Sequence, residues 1–159
     1  MNPLLKVNNL RIDFCRDDKW QETVHVVDFE VYQGKTLGIV GESGSGKSVS
    51  NLAIMQLLDR RKSRIKADSI LLDNQDISTL TDDEMTEIRG KKIAMIFQEP
   101  MTSLNPVYKC GFQVMEAMGS QKSKVESQKI KEKVLELFRK VMLPRPEVIF
   151  DKYPHELSG

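Results

Sequence analysis

Two segments near the start of the chain alternate apolar and polar residues, which is typical of β-strands. In Leu4–Phe14 the alternation is interrupted at Asn8-Asn9, which predicts either one strand or two. Val24–Tyr32 is rich in valine and predicts another strand, followed by a turn at Gln33–Lys35. The residues between the two segments, Cys15–Glu22, are polar and predict an irregular excursion.

Short apolar runs later in the chain predict buried strands separated by helices. The runs Thr36–Val40 and Lys92–Phe97 lack alternation, as strands buried on both faces of a sheet do, and Ser69–Leu72 predicts a further strand. Lys47–Leu58 carries apolar residues at helical spacing, and Thr81–Arg89 predicts a short helix with acidic residues near its start. This order of elements predicts an α/β core with an N-terminal antiparallel β layer.

The pattern of short apolar runs ends at Gln98. Pro100 and Pro106 bracket a predicted loop, and Lys124–Met142 then predicts a long amphipathic helix. We therefore expect an α/β core with its β subdomain over residues 1–97, and a helical subdomain over residues 98–159. The apolar face of the long helix is predicted at Ile130, Val134, Leu137, Phe138 and Val141.

Charge and composition limit the classes of partner. The net charge is +1, from 24 Lys and Arg against 23 Asp and Glu, so there is no global positive field to hold a nucleic-acid backbone. The two cysteines, Cys15 and Cys110, are far apart in sequence, which fits a reducing compartment. The longest apolar run, Ile93–Phe97, is far shorter than the roughly 20 residues of a membrane-spanning helix. We expect a cytoplasmic protein with no nucleic-acid partner.

A segment rich in glycine and serine follows the run Thr36–Val40 and matches the phosphate-loop pattern G-x-x-x-x-G-K-[ST] at every fixed position. Glycines in such a loop let backbone N–H groups turn toward phosphate oxygens at a helix N-terminus. The dinucleotide pattern G-x-G-x-x-G fails, because Val49 stands at its third glycine position. A nucleoside triphosphate is therefore favoured over NAD. The predicted phosphate-binding residues are Gly41, Glu42, Ser43, Gly44, Ser45, Gly46, Lys47 and Ser48.

Two residues of the loop have specific chemistry. We expect Lys47 to bridge the β- and γ-phosphates and the Ser48 hydroxyl to ligate Mg²⁺. The predicted cofactors are therefore ATP and Mg²⁺. The loop alone does not distinguish kinases, GTPases and transport ATPases.

Two further motifs separate these classes. Phe97–Pro100 (FQEP) follows a predicted buried strand, and Leu157–Gly159 (LSG) stands at the end of the sequence. Together with the phosphate loop, they make nearly the whole chain resemble the nucleotide-binding domain of an ABC transporter. The longer segments Met95–Pro106 and Tyr153–Gly159 resemble the ATPase subunits of importers of dipeptides, oligopeptides and nickel.

The resemblance implies roles for residues outside the loop. Gln98 is similar to the Q-loop glutamine of the family, which ligates Mg²⁺ and orients the attacking water. Ser158 and Gly159 resemble the start of the LSGGQ signature, which meets the γ-phosphate held by the opposite subunit. Phe14 stands near the place of the family's adenine-stacking aromatic, and both core packing of Phe14 and stacking by Trp20 remain open. The implied catalytic residues are Gln98 and Lys47.

The resemblance also implies a function and a set of partners. In the family, ATP clamps two nucleotide-binding subunits head to tail and hydrolysis releases them. Transmembrane permease subunits import the solute, here peptides or a related small molecule, which an extracytoplasmic solute-binding protein supplies. We therefore expect a protein that is peripheral on the inner face of the membrane.

The alternatives are a soluble ABC-type ATPase of DNA repair or translation, a P-loop kinase, and a nucleotide-binding fragment without turnover. The sequence ends before the family's Walker B and histidine-switch motifs. We therefore expect a truncated P-loop fold that binds nucleotide weakly and is inactive as an ATPase by itself.

Two local features of the sequence are interpreted as parts of the fold and not as binding sites. Asp28 stands where the family usually has a few more residues, which predicts a shortened strand with disturbed pairing. A run of basic residues follows the predicted helix Lys47–Leu58 and is interpreted as a solvated helix end whose cations complement the helix dipole. These residues are Arg60, Arg61, Lys62, Arg64 and Lys66.

Overall fold

The computed structural model describes residues 2–98, 103–118 and 124–157. The chain divides into a first unit, residues 1–95, and a second unit, residues 96–159. Within the described residues, no helix is both long and apolar enough to cross a membrane. The assignment of ATP binding to one part of the chain and of a helical subdomain to the other stays a prediction.

An antiparallel five-stranded sheet forms much of the first unit. Strands β1 (Leu5–Arg16) and β2 (Lys19–Val31) form a long hairpin. On its other side, β1 pairs with β3 (Ser63–Lys66) and with β4 (Ser69–Leu72). The short strand β5 (Gln75–Asp76) pairs with β4 and completes the sheet. The predicted strands Leu4–Phe14, Val24–Tyr32 and Ser69–Leu72 are confirmed as elements.

The connection between β1 and β2 corrects one prediction. The expected polar excursion at Cys15–Glu22 is wrong, because Cys15 pairs with Trp20 and both strands continue to a tight turn. The two turn residues, Asp17 and Asp18, have φ angles of +49° and +58°. Left-handed conformations at both central residues match the twist of a two-residue hairpin.

The interruption at Asn8-Asn9 is a β-bulge within one strand. Val7 pairs with Phe29 and Leu10 with Val27, so two residues of β1 lie opposite the single residue Asp28. The Asn9 backbone N–H donates to Asp28 Oδ1 at 2.7 Å. The prediction of a shortened strand is therefore wrong, because β2 runs over Lys19–Val31, whereas the predicted disturbance of the pairing is confirmed as this bulge.

Two helices of the first unit contribute to the core of the sheet. Helix α1 (Lys47–Ile54) is shorter than predicted, and α2 (Asp82–Ile88) is confirmed. At the start of α2, Glu84 N–H donates to Thr81 Oγ1 and Thr81 N–H donates to Glu84 Oε2, a reciprocal cap that fixes the first turn. The buried core consists of Val7, Leu10, Ile12, Val24, Ala53, Ile54, Ile70, Leu72, Ile77, Met85 and Ile88.

Two predicted buried strands are wrong. Thr36–Val40 is irregular, and Val40 is 95% exposed. Among the described residues of Lys92–Phe97, Ile93 forms an isolated bridge with Arg89, no strand is present, and Ile96 is 92% exposed. A strand needs a neighbour to satisfy its N–H and C=O groups. No strand among the described residues pairs with either segment, so apolar composition alone does not make them strands.

The basic run also differs from the prediction. Helix α1 ends at Ile54, so a helix end is the wrong interpretation for Arg64 and Lys66, which lie on β3. The Lys66 ammonium lies 2.9 Å from the buried carboxylate of Asp13, and the Arg64 guanidinium carbon lies 3.7 Å from the centroid of the Trp20 ring. These two contacts therefore stabilise the packing of β3 against the hairpin of β1 and β2.

The second unit is helical. It contains α3 (Cys110–Ala117), α4 (Lys124–Lys140), α5 (Pro146–Asp151) and a short 3-10 helix, Pro154–Glu156. The long amphipathic helix is thus confirmed, but its buried face is narrower than predicted, because Leu137 and Val141 are exposed. Met115, Val134, Phe138 and Phe150 form the buried cluster that joins the three α-helices.

Candidate phosphate-binding site

The loop Gly41–Ser48 leads directly into α1, as the sequence predicts. Gly44 and Gly46 have φ angles of +82° and +89°, which L side chains rarely adopt. A Cβ added to Gly46 would lie 2.7 Å from Val24 Cγ2. Glycine is therefore required at position 46 both by the backbone conformation and by the contact with β2.

The Lys47 ammonium joins the beginning of the loop to its end. Its Nζ donates to the carbonyl oxygens of Gly41 and Glu42, both at 2.6 Å, and to Ser45 Oγ at 3.0 Å. The cation therefore lies beside the loop backbone, where it adds positive charge to the start of α1. The loop itself therefore accepts hydrogen bonds from all three donors of the ammonium in this structure.

The N-terminus of α1 has backbone N–H donors that find no acceptor in the part of the chain that the structure describes. The N–H groups of the first turn of an α-helix have no acceptor within the helix, and the residue before α1, Gly46, provides no side-chain cap. The first turn carries no acidic residue. Ser50 N–H and Ser50 Oγ both donate to the Gly46 carbonyl, at 2.8 and 3.0 Å, which fixes the start of the helix.

These donors fit a phosphate group. Unpaired N–H groups, the positive end of the helix dipole and the Lys47 ammonium all favour an anion at this place. Ser48 lies on the same first turn and is exposed, and its hydroxyl is chemically suited to ligate Mg²⁺. The residues present are therefore those that an ATP–Mg²⁺ site requires at its phosphate end.

Of the other residues that the sequence singles out for the site, Phe14, Trp20 and Gln98 are among the described residues. Phe14 lies on β1, half-buried and packed against the core of the first unit, and one ring face of Trp20 is covered by the Arg64 guanidinium. Gln98 is exposed and belongs to the second unit. Ser158 and Gly159 lie outside the described residues.

No sequence pattern indicates the residue that binds the C-terminal end of α1. Arg89 Nε donates to the Met55 carbonyl at 2.8 Å, and Arg89 Nη2 donates to the Gln56 carbonyl at 3.0 Å. A cation that binds the last carbonyls of a helix also complements its dipole. Because Arg89 is far from Met55 along the chain, no local signal in the sequence indicates this contact.

Comparison with known proteins decides the family. The model of the ABC transporter family matches residues 24–159. The chain belongs to the ABC transporter family. This finding confirms the resemblance that the phosphate loop and the FQEP and LSG motifs predicted.

Named members of the ABC transporter family are similar to the chain over almost all of its length. The chain is 46% identical over 156 residues to a dipeptide transport ATP-binding protein of Haemophilus influenzae, with 98% of this chain and 47% of the relative covered. It is 42% identical over 159 residues to an oligopeptide transport ATP-binding protein of Bacillus subtilis, with 100% of this chain and 48% of the relative covered. The chain thus spans about half the length of these relatives.

Solved ABC structures confirm the fold class. The dimeric ABC transporter cassette MJ0796 aligns with 98% of this chain and 63% of its own, at a TM-score of 0.77 and 24% identity. A post-hydrolysis structure of the same cassette, bound to ADP and Pi, aligns with 97% of this chain and 63% of its own, at a TM-score of 0.70 and 22% identity. The chain therefore has the fold of an ABC ATPase cassette.

Proposed function

We propose that this chain is the nucleotide-binding part of the ATPase subunit of an ABC importer for peptides or a related small solute. The observation that carries nucleotide binding is the Lys47 ammonium, held at the backbone of a glycine-rich loop beside an uncapped helix N-terminus. The names of the relatives, which are dipeptide and oligopeptide transport ATP-binding proteins, support the solute class.

The chain's own residues have distinct tasks in this proposal. The backbone N–H groups of the loop Gly41–Ser48 and the Lys47 ammonium bind the phosphate chain of ATP, and the base stacks on Phe14. The side chains of Ser48 and Gln98 would ligate Mg²⁺. When bound, this ion would neutralise negative charge on the β- and γ-phosphates. Gln98 also positions the attacking water, and Ser158-Gly159 binds the nucleotide of a second subunit.

The partners follow from the same proposal. A second nucleotide-binding subunit pairs head to tail with this one, and permease subunits couple the pair to solute movement, while a solute-binding protein acts on the opposite side of the membrane. The dimeric structure of the cassette MJ0796 supports the first of these partners. The protein would therefore work at the inner face of the membrane, through its partners.

Solute uptake tests the proposal as a whole. Cells whose own gene for this sequence carries Lys47→Ala should lose uptake of a labelled dipeptide while the abundance of the protein stays unchanged. Lys35→Ala, a change at an exposed lysine in a turn outside the loop, should leave uptake normal. Normal dipeptide uptake in the Lys47→Ala cells would contradict the proposed function.

A further inference from the structure

The end of α4 and the turn that follows it expose apolar side chains in the second unit. The Val141 N–H donates to the Leu137 carbonyl at 3.1 Å, so the two side chains lie one helical turn apart on the same face. Leu137 is 41% exposed and Val141 is 67% exposed. The next residue, Met142, is 88% exposed. Contiguous apolar surface of this kind indicates a contact with a protein or a membrane.

Met142 has a backbone conformation that glycine adopts more easily. Its φ angle is +57°, in the left-handed region. The Met142 N–H donates to the Arg139 carbonyl at 3.0 Å and the Leu143 N–H donates to the Phe138 carbonyl at 2.9 Å, which is the hydrogen-bond pattern of a Schellman motif. Glycine is the usual residue at this position of the motif. The other non-glycine residues with positive φ in the described ranges are polar or charged.

The side chain of Met142 does not stabilise the fold in return. Because it is almost fully exposed, it buries little apolar surface within the chain. The chain therefore keeps an apolar side chain in water at a position where glycine would cost less free energy. A contact outside the chain explains such a residue, because the contact would remove the side chain from water.

Unpaired cations lie on both sides of these apolar residues along the chain. Residues 133–148 carry four basic and two acidic side chains. Arg139 forms an ion pair with Glu147. Lys140 and Arg145 are exposed, and their side chains form no ion pair or hydrogen bond with any described residue. Their positive charge is therefore available to an anionic partner.

We propose that this surface, called the α4 tip and consisting of Leu137, Lys140, Val141, Met142 and Arg145, contacts an anionic lipid bilayer directly. Val141 and Met142 enter the headgroup region, and Lys140 and Arg145 lie at the lipid phosphates. A protein partner of ordinary size would bury about 800 Å² of each surface in a complementary shape, whereas a bilayer accepts a few protruding side chains without it. The contact goes beyond the proposed function, because it requires neither nucleotide nor permease.

Co-sedimentation of the chain with lipid vesicles tests the contact. The chain should bind vesicles of phosphatidylcholine and phosphatidylglycerol in equal parts about tenfold more tightly than vesicles of phosphatidylcholine alone. Salt should weaken binding to the mixed vesicles, because it screens the cations. In bicelles of the same headgroup composition, a spin-labelled lipid should broaden the methyl NMR signal of Met142 and leave that of the buried Met115 unchanged.

Met142→Gly is the decisive variant, because it should weaken the contact without weakening the fold. Glycine adopts the left-handed conformation without the steric cost, so the variant should be at least as stable in urea as the original chain. It should bind the mixed vesicles about tenfold more weakly. Lys140→Gln should weaken binding about fivefold. The matched controls are Met118→Ala, at another exposed methionine of the second unit, and Lys35→Gln, at an exposed lysine of the first unit, and both should bind like the original chain.

The proposal is wrong if the chain does not bind the mixed vesicles, or if it binds them no more tightly than phosphatidylcholine alone. Equal affinity of Met142→Gly and the original chain would exclude the apolar part of the α4 tip, and equal affinity of Lys140→Gln and Lys35→Gln would exclude its cations. Absence of vesicle binding, together with loss of dipeptide uptake in Met142→Gly cells at unchanged protein abundance, would assign the surface to a protein partner instead.

Discussion

Arg89 Nε donates a hydrogen bond to the backbone carbonyl of Met55 at 2.8 Å, at the end of the helix whose start carries the phosphate loop. Arg89 Nη2 binds the next carbonyl, that of Gln56. Helix α1 is thus fixed at its start by Ser50 and Gly46 and at its end by a residue that follows α2. The helix that follows the phosphate loop therefore cannot shift along its axis without breaking its two contacts with Arg89.

Replacement of Arg89 should destabilise the first unit. Arg89→Met keeps an apolar stem of similar length but leaves two carbonyls without their donor, so we expect the free energy of unfolding to fall by about 1.5–3 kcal/mol, the range for hydrogen bonds to charged groups. Urea denaturation measures this change. Arg61→Met, at an exposed arginine, serves as the control, and an equal loss in both variants would show that the contacts to Met55 and Gln56 contribute nothing.

Gly46→Ala should disturb the phosphate loop. The φ angle of +89° costs a side chain about 1–3 kcal/mol, and the new Cβ would also meet Val24 Cγ2 at 2.7 Å. We expect lower stability in denaturant and weaker binding of nucleotide. Gly38→Ala is the matched control, because no atom lies within 4 Å of its added Cβ and its φ is not in the left-handed region. If the two variants behave alike, position 46 has no special requirement for glycine.

Phe14→Ala distinguishes base stacking from core packing. If adenine stacks on the ring, the variant should lose ATP affinity corresponding to about 1–3 kcal/mol and lose little affinity for inorganic triphosphate, which has no base. Calorimetric titration with both compounds measures the difference. Phe14 is half-buried against the core, so equal weakening of both ligands would assign it to packing and direct attention to Trp20.

Asp76 should make the stability of the first unit depend on pH. Burial raises the pKa of Asp76, but hydrogen bonds from the Ser78 hydroxyl, the Ser78 N–H and the Ile70 N–H together lower it below its ordinary value. The folded state therefore favours the carboxylate. This contribution is present above the pKa of the unfolded chain, about 3.9, and is lost as pH falls through the lower folded-state pKa.

The variant Asp76→Asn tests this pH dependence. It should be less stable than the original chain at pH 7, and the difference should shrink as the pH is lowered toward 2, as measured by urea denaturation. Asp73→Asn, at an exposed position in the adjacent turn, should show a much smaller effect. A difference between Asp76→Asn and the original chain that is the same at all pH values would contradict the assignment.

The elements that the sequence predicts correctly are those with local signals. The loop Gly41–Ser48 is specified by its glycines and by the helix that follows, α2 by the Thr81–Glu84 cap, and α4 by its apolar periodicity. Each of these signals acts over a few residues. Local chemistry therefore suffices to place the centre of the candidate site.

The errors occur where structure depends on distant partners. Thr36–Val40 has the composition of a buried strand, but no described strand pairs with it. Strand β3 was missed because a run of cations is typical of a solvated surface, whereas Lys66 contacts Asp13 and Arg64 stacks on Trp20, both far away in sequence. The contact between Arg89 and Met55 is equally non-local.

Calorimetric titration of Mg·ATP into the chain and into its Lys47→Ala variant tests the central proposal most directly. The variant removes the ammonium held at Gly41 and Glu42 and with it the charge-assisted contact to phosphate, so we expect the affinity to fall by about a hundredfold. The circular dichroism spectrum should stay unchanged, and Lys35→Ala should bind like the original chain. Equal affinity for Mg·ATP in a folded Lys47→Ala variant would contradict the assignment of this loop as the nucleotide site.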